Sequence, residues 1–289
     1  MKQRDRQERE RASSKVDVLN EALPWIHRMA GKTFVIKYGG SAMENPELCR
    51  QVVADIEMLK LLGIRIVLVH GGGKAISAHV KALGLPVTFK GGLRVTDDAT
   101  MEAVREVLVG KVNQDLVWAL NEYGHNAVGI SGADGKTLKA EQIDPVGRIR
   151  EVDPSLIETI LEDGYIPVVA TVGCAPDGFF NINADVAAGK IAEAMGADKL
   201  IYLTDVDGLY GDVADEDSLI QSLTRSETHE LLDSGTLDGG MLPKIRSIAE
   251  ALDAGVSEVV ILNGTFPHSL LLEIFTDAGC GTMFTQDNA

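Results

Sequence analysis

Short runs of β-branched and apolar residues recur along the chain, spaced to leave room for a helix between them. They cover 33–38, 64–70, 126–131, 166–170, 199–204 and 258–262. Continuous apolar runs of this length predict strands buried on both faces. Between them, helical spacing of apolar residues marks segments near 47–62, 74–83, 98–122, 154–163, 184–195, 241–254 and 268–277. The stretch from Thr137 to Val152, around Asp144-Pro145-Val146-Gly147, reads as a hairpin. The alternation predicts an α/β fold, a three-layer αβα sandwich around a central, mainly parallel sheet. Upstream, Val16, Leu19, Leu23 and Ile26 form a helical stripe beside Trp25, and Pro24 is expected to kink or interrupt it. That stripe must pack on its own domain or on another subunit. Residues 1–14 are highly polar and expected to be poorly ordered alone.

Two of the strands end in glycines. Val69-His70-Gly71-Gly72-Gly73-Lys74 closes one and opens a helix, and Thr33-Phe34-Val35-Ile36-Lys37-Tyr38 runs into Gly39-Gly40. Glycine lets backbone approach a ligand closely, and a helix N-terminus offers unpaired N–H groups to an anion. A P-loop would need glycine where Leu68 stands and Ser or Thr where Ala75 stands. A dinucleotide fingerprint would need glycine at Ile76. The His-Gly-Gly-Gly run also resembles an esterase oxyanion loop, but Gly129-Ile130-Ser131-Gly132-Ala133 lacks the last glycine of a nucleophile elbow. An anion site and a tight turn without ligand both remain open for each loop. Ligands in such folds gather beyond the carboxyl ends of the strands, where both loops fall.

Composition narrows the partners. The 289 residues are 45% hydrophobic, enough for a substantial core, and carry 27 basic against 43 acidic groups, a net charge of −16. That balance argues against nucleic-acid and anionic-membrane partners. An anionic substrate must therefore be held by local positive groups. Cys49, Cys174 and Cys280 lie far apart without metal-ligand spacing, which suits a reducing cytoplasm. No apolar run reaches membrane-spanning length, and the charged N-terminus is not a signal peptide.

Several polar groups sit at predicted strand ends and helix starts. Lys37 ends the first strand beside Gly39-Gly40, where a lysine suits an anion, although a snorkelling surface lysine also fits. Arg94 lies in the loop Gly91-Gly92-Leu93-Arg94-Val95-Thr96-Asp97, its planar fork matched to a carboxylate or to a surface salt bridge. Asn181-Ile182-Asn183-Ala184-Asp185 precedes a small-residue helix; capping explains one of its polar groups but not three. Asp205-Val206-Asp207-Gly208-Leu209-Tyr210 lacks the register of a calcium loop and reads as a nucleotide-side turn. Gly239-Gly240-Met241-Leu242-Pro243-Lys244 again pairs glycines with a lysine. No nucleophile–base constellation accompanies these groups. Phosphoryl transfer to a carboxylate needs none, because the acceptor is already an anion; it needs positioning and charge neutralisation.

Taken in order, Ile36-Lys37-Tyr38-Gly39-Gly40-Ser41-Ala42-Met43, His70-Gly71-Gly72-Gly73-Lys74, Gly92-Leu93-Arg94-Val95-Thr96, Asn181-Ile182-Asn183-Ala184-Asp185 and Gly240-Met241-Leu242-Pro243-Lys244 resemble the motifs of the amino acid kinase family, from about Thr33 to Phe284. Within it, the match is strongest to members that phosphorylate the side-chain carboxylate of N-acetyl-L-glutamate with ATP in arginine biosynthesis. The resemblance implies that Lys37 and Lys244 flank the transferring phosphoryl and that Asp185 orients them. It implies that Gly40 and Gly72 donate N–H groups to phosphoryl oxygens. Gly72, Gly73, Arg94 and Asn181 would hold acetylglutamate, and Asp205, Gly208, Leu209, Tyr210 and Lys244, with the region around Thr236–Asp238, would line the ATP site. Magnesium would arrive with ATP, with no metal held by the protein itself. The implied organisation is an oligomerisation helix over 1–30, an acetylglutamate-binding and dimerisation lobe over 31–180, and an ATP lobe with a regulatory site over 181–289. The N-terminal extension and the segment His268 to Thr282 resemble the arginine-inhibited branch, a hexamer built as a trimer of dimers; His268, Glu273 and Gly279 would contact arginine. A kinase for carrier-linked aminoadipate in lysine biosynthesis shares most of these motifs, and a non-catalytic arginine sensor is the reading from another class. Lys190 departs from the family's small residue in its helix and carries no implied role.

Overall fold

The computed structural model describes residues 13, 16–17, 20–43, 45–124, 127–143, 146–212, 215–237, 239–276 and 279–287. Helix α1 (20–29) precedes β1 (Thr33–Tyr38), α2 (Pro46–Leu61), β2 (Arg65–His70) and α3 (Gly73–Ala82). A small hairpin, β3 (Phe89–Lys90) and β4 (Leu93–Arg94), leads to α4 (Asp98–Arg105), a π-helical segment (Glu106–Val112) and α5 (Asn113–Gly124). Next come β5 (Ala127–Ser131), β6 (Leu138–Ile143), β7 (Val146–Val152), α6 (Ser155–Glu162), β8 (Ile166–Ala170), β9 (Val172–Ala175) and β10 (Gly178–Asn181). The remainder runs α7 (Ala184–Ala194), β11 (Lys199–Thr204), β12 (Leu209–Tyr210), β13 (Leu219–Ile220) and β14 (Ser222–Thr224). It ends with α8 (Arg225–Asp233), α9 (Met241–Asp253), β15 (Glu258–Asn263), α10 (Ser269–Phe275) and β16 (Thr282–Thr285).

All six strand predictions fall on strands of one eight-stranded sheet, ordered β14-β16-β15-β11-β1-β2-β8-β5. Its pairings are parallel except β15 with β16. Alternation along each strand feeds two separate cores. Phe34, Ile36, Ile66 and Leu68 pack on one face with residues of α2, α3 and α5, whereas Val35, Val67 and Val69 pack on the other with α6, α7 and α9. Two cores on two sheet faces are what a three-layer sandwich requires. After β1 the chain first extends the sheet on one side through β2, β5 and β8, then on the other through β11 and β15. The reversal at β1 and β11 opens a crevice beyond their carboxyl ends.

The sequence prediction needs correction in places. The predicted helix at 98–122 is interrupted by the π-helical turn. Leu108, Val112, Leu116 and Leu120 are all buried at a spacing of four; on a regular α-helix each step would drift about 40° off the core face. The wider turn takes up part of that drift. Pro24 does not interrupt α1, which stays helical from 20 to 29; the carbonyl that loses its partner belongs to exposed Asn20, open to water. The predicted hairpin forms as β6 and β7, its tip at 144–145 lying outside the described residues. Leu19, Asp238, 277–278 and most of 1–14 also lie outside them. The strands β3, β4, β9, β10, β12, β13, β14 and β16 and helix α8 fall outside the predicted elements. They are short, and α8 buries only Thr228 fully, with Leu231 and Leu232 partly buried against the core.

Helices α7 and α9 meet closely at Gly189, where a Cβ would overlap Ser247 Oγ. Lys190 extends the same junction by bridging Glu193 of its own helix (2.9 Å) and Glu250 of α9 (3.2 Å), which gives this departure from the family pattern a structural role. Gly189→Ala is expected to lose stability. Its helix-propensity gain of at most about 1 kcal/mol is smaller than the cost of about 1–3 kcal/mol for overpacking. A denaturant midpoint at or above that of the unaltered protein would contradict this.

Candidate active site

The alternation that sends Val35 into the second core sends Lys37 to the same sheet face, toward α7 and α9. There Lys37 Nζ lies 3.0 Å from Asp185 Oδ1, and Lys244 Nζ lies 2.7 Å from Asp185 Oδ2. Lys37 comes from the end of β1, Asp185 from the first turn of α7 and Lys244 from α9. Lys244 donates a hydrogen bond to Oδ2. Lys37 makes a close charge contact with Oδ1, which has no partner meeting hydrogen-bond geometry. Burial pushes the Asp185 carboxyl up, but the two ammonium groups outweigh it and hold the group well below the usual carboxylate range. Burial pushes the Lys244 ammonium down, with Asp185 opposing and Lys37 adding to the shift.

The carboxylate is braced from behind. Asn183 caps α7 by accepting from the N–H groups of Asp185 and Val186. Ser247 Oγ donates to the Asp185 carbonyl at 3.0 Å, and the buried Tyr202 hydroxyl reaches the same carbonyl at 3.2 Å and Ser247 at 2.9 Å. The Tyr202 ring lies 4.8 Å from Lys244 Nζ, so the cation rests on an aromatic face. Tyr202 and Ser247 were missed from the sequence because each looks like ordinary strand or helix interior.

On the other side of the crevice, Gly71, Gly72, Gly73, Arg94 and Asn181 line a cavity of about 140 Å³, with Ile76, Phe89, Leu93 and Leu108 as apolar wall. Arg94 is buried. Its Nη2 donates to the Gly73 carbonyl at 2.8 Å and to Ser77 Oγ at 2.7 Å, its guanidinium lies 4.8 Å from the Phe89 ring, and its Nη1 has no partner. Burial lowers its affinity for its proton, yet a guanidinium stays charged. An unpartnered buried donor on a fixed cation is suited to a carboxylate. Asn181 Nδ2 donates to Thr96 Oγ1 at 3.1 Å. Gly72 approaches the π-helical segment so closely that a Cβ would lie 2.8 Å from Leu108 Cδ2.

Gly40, at φ +81°, adjoins the turn after β11, where a Cβ would overlap the Asp205 carboxylate. That turn is fastened by Tyr210 and Asn263, which both donate to Asp207 at 2.8 Å, and by Leu209 N–H, which donates to Thr282 Oγ1 at 2.8 Å. Gly208 is packed against the same Thr282 hydroxyl. Farther off, Glu273 is buried; Cys280 N–H donates to its Oε2 at 3.3 Å, and its Oε1 has no partner. Burial raises its carboxyl above the usual range, with Lys199 opposing. Gly279 lies beside it, close enough that a Cβ would meet Oε2 at 3.4 Å. The His268 ring, by contrast, turns to α2 and meets Asp55 at 2.7 Å.

This fold and this crevice define a class. Residues 32–263 match the model of the amino acid kinase family, and the chain belongs to that family. Among its relatives, acetylglutamate kinase of Brachyspira hyodysenteriae is 48% identical over 277 residues, covering 93% of this chain and 96% of the relative. Acetylglutamate kinase of Thermosynechococcus vestitus is 46% identical over 283 residues, covering 96% of each. Among solved structures, N-acetylglutamate synthase from Neisseria gonorrhoeae, complexed with coenzyme A and N-acetyl-glutamate, superposes with a TM-score of 0.82 at 30% identity. The match covers 94% of this chain but only 63% of that longer one. Carbamate kinase from Giardia lamblia bound to AMP-PNP, at 19% identity and a TM-score of 0.67, shares the fold.

Asp185→Asn is expected to lower stability by about 3 kcal/mol at neutral pH, because it leaves the buried Lys244 ammonium and the largely covered Lys37 ammonium without their counter-charge. The folded-state value of Asp185 is depressed, so its contribution is complete above the unfolded value of about 3.9 and is lost as pH falls through the folded one. Denaturation curves of the two proteins should therefore converge only below about pH 4. A constant gap down to pH 2, or none at pH 7, would refute this.

Proposed function

We propose that this chain is an acetylglutamate kinase, transferring the γ-phosphoryl group of ATP to the side-chain carboxylate of N-acetyl-L-glutamate. The observation that carries the reading is the juxtaposition of the Lys37–Asp185–Lys244 cluster with the Arg94 cavity, beside relatives of that activity near half identity. Arg94 Nη1 pairs with the α-carboxylate of the acceptor, Asn181 and Gly73 hold its acetamido end, and the apolar wall receives the acetyl methyl. The side-chain carboxylate then points past Gly72 toward the lysines. One of its oxygens attacks the γ-phosphorus in line, the bond to the bridging oxygen breaks, and ADP leaves with that electron pair. No proton moves. Lys37 and Lys244 neutralise the charge spread over the transferring group, Gly40 and Gly72 donate N–H groups to its oxygens, and Asp185 keeps the lysines in register.

ATP lies along the turn of Asp205, Gly208, Leu209 and Tyr210, with Lys244 at its phosphate end. Magnesium enters as part of the nucleotide substrate and neutralises its phosphate oxygens. Both oxygens of Asp185 face ammonium groups. In this reading the chain up to about 180 supplies the acceptor side and the chain beyond it the nucleotide side, joined through the shared sheet.

The finer part of the proposal is feedback inhibition by arginine in a hexamer linked through α1. Glu273 supports it as a buried carboxylate with one unpartnered oxygen. N-acetylglutamate synthase from Neisseria gonorrhoeae, 28% identical with a TM-score of 0.78, has been solved in complex with coenzyme A and L-arginine.

An acyl-phosphate trap with hydroxylamine, ATP and Mg²⁺ should give product with N-acetyl-L-glutamate and not with glutamate, aspartate or aminoadipate derivatives. Absence of product with N-acetyl-L-glutamate, or a better acceptor among the others, overturns the assignment. Lys37→Ala and Lys244→Ala should each lower kcat about 10²–10³-fold with a far smaller change in KM for ATP. Arginine should inhibit the unaltered protein. Glu273→Gln, and separately removal of residues 1–28, should weaken that inhibition, with the truncated chain a dimer by solution scattering.

A further inference from the structure

His70 is fully buried at the end of β2, and both of its ring nitrogens are engaged within the protein. Nδ1 lies 3.1 Å from the carbonyl of Gly71, and Nε2 lies 3.0 Å from Asn113 Nδ2. A carbonyl can only accept, so Nδ1 carries the proton; Nε2 then accepts from the Asn113 amide. The amide orientation is fixed independently, because Asn113 Nδ2 also donates to the Val168 carbonyl at 2.8 Å. Its Oδ1 sits against Gly129, where a Cβ would overlap it. Asn113 is thus seated across β5 and β8, and it is the first residue after the π-helical turn that also sets Leu108 against Gly72. Burial pushes the His70 imidazole down to about 4, so at neutral pH it holds this one-proton arrangement.

We propose that His70 and Asn113 form a two-link latch that fixes the plane of the Gly71–Gly72 peptide and so aims the Gly72 N–H into the crevice. In a trans peptide the C=O and the following N–H point in opposite directions. Holding the Gly71 oxygen against the imidazole therefore turns the Gly72 N–H away from it. Both flanking residues are glycine, so the chain alone offers little resistance to rotation of that plane. The ring is walled off from substrate, which makes His70 a positioning residue and not a base. The catalytic consequence rests on the proposal that Gly72 donates to the phosphoryl group.

His70→Leu fills much of the space but has no donor, whereas His70→Asn keeps an N–H near the place of Nδ1. The first should lower kcat about 10–100-fold, by analogy with a misaimed oxyanion donor, while changing KM for N-acetyl-L-glutamate less than about threefold. The second should recover most of that loss. Equal loss in both, loss in neither, or a loss carried by KM would overturn the latch. Ring-¹⁵N NMR of the unaltered protein gives a reading that needs no variant. The histidine that remains neutral at pH 5 should be the Nδ1–H tautomer, and an Nε2–H tautomer there overturns the proposal even if the variants fail to fold. Failure of the kinase reading is distinct from either result, since the unaltered protein would then make no acyl phosphate while the tautomer still reports on the latch.

Discussion

The site depends on one carboxylate held between two ammonium groups in a place almost closed to water. Isolated, each of these charges would cost several kcal/mol to bury; together they leave one positive charge in excess. Everything around Asp185 serves to keep that arrangement in register. Its helix start is capped by Asn183, its carbonyl is held by Ser247 and Tyr202, and its helix is brought against α9 by Gly189. The central sheet does the rest, because β1 lies in the middle of the strand order and delivers Lys37 to the face where both helices pack.

The glycine-lined side of the crevice is built differently, from backbone and not from charge clusters. Glycines 71–73 make close approaches possible, but they also make the loop soft. Arg94 holds the Gly73 carbonyl, and the imidazole of His70 holds the Gly71 carbonyl, so two alternate peptide planes of the loop are held by side chains. The interrupted helix belongs to the same device. Its wide turn sets Leu108 against Gly72 and places Asn113 beside His70, so a local departure from α-helical geometry registers the loop.

Much of this was legible in the sequence. Continuous apolar runs located six strands of the main sheet, and paired glycines located the crevice. The lysines were legible as charges at glycine loops, but their convergence on Asp185 depends on strand alternation and helix packing across more than half the chain. The glycine run carried two open readings, anion site or bare turn, and the unpartnered Arg94 nitrogen in the same cavity is the observation on which the proposed anion reading rests. Tyr202, Ser247 and Asn113 left no signal, because a polar side chain inside an apolar segment has no visible partner until the fold supplies one. The π-helical turn was hidden as well: a spacing of four between buried residues suits both helix types over a short window, and only the run from Leu108 to Leu120 distinguishes them.

The net charge of −16 and the proposed site for two anions look opposed until distances are compared. Charges on the surface are screened beyond a Debye length of about 8 Å at physiological ionic strength, whereas Lys37, Lys244 and Arg94 act over a few ångströms in a region with little water. Coulomb energy at a given separation grows as the local dielectric falls, so buried Lys244 and Arg94, with the largely covered Lys37 and one carboxylate, outweigh a more numerous acidic surface at the place where phosphoryl transfer would occur. The same arithmetic explains why Asp185 must be there. Without it, two ammonium groups would face one another across a few ångströms with no counter-charge between them.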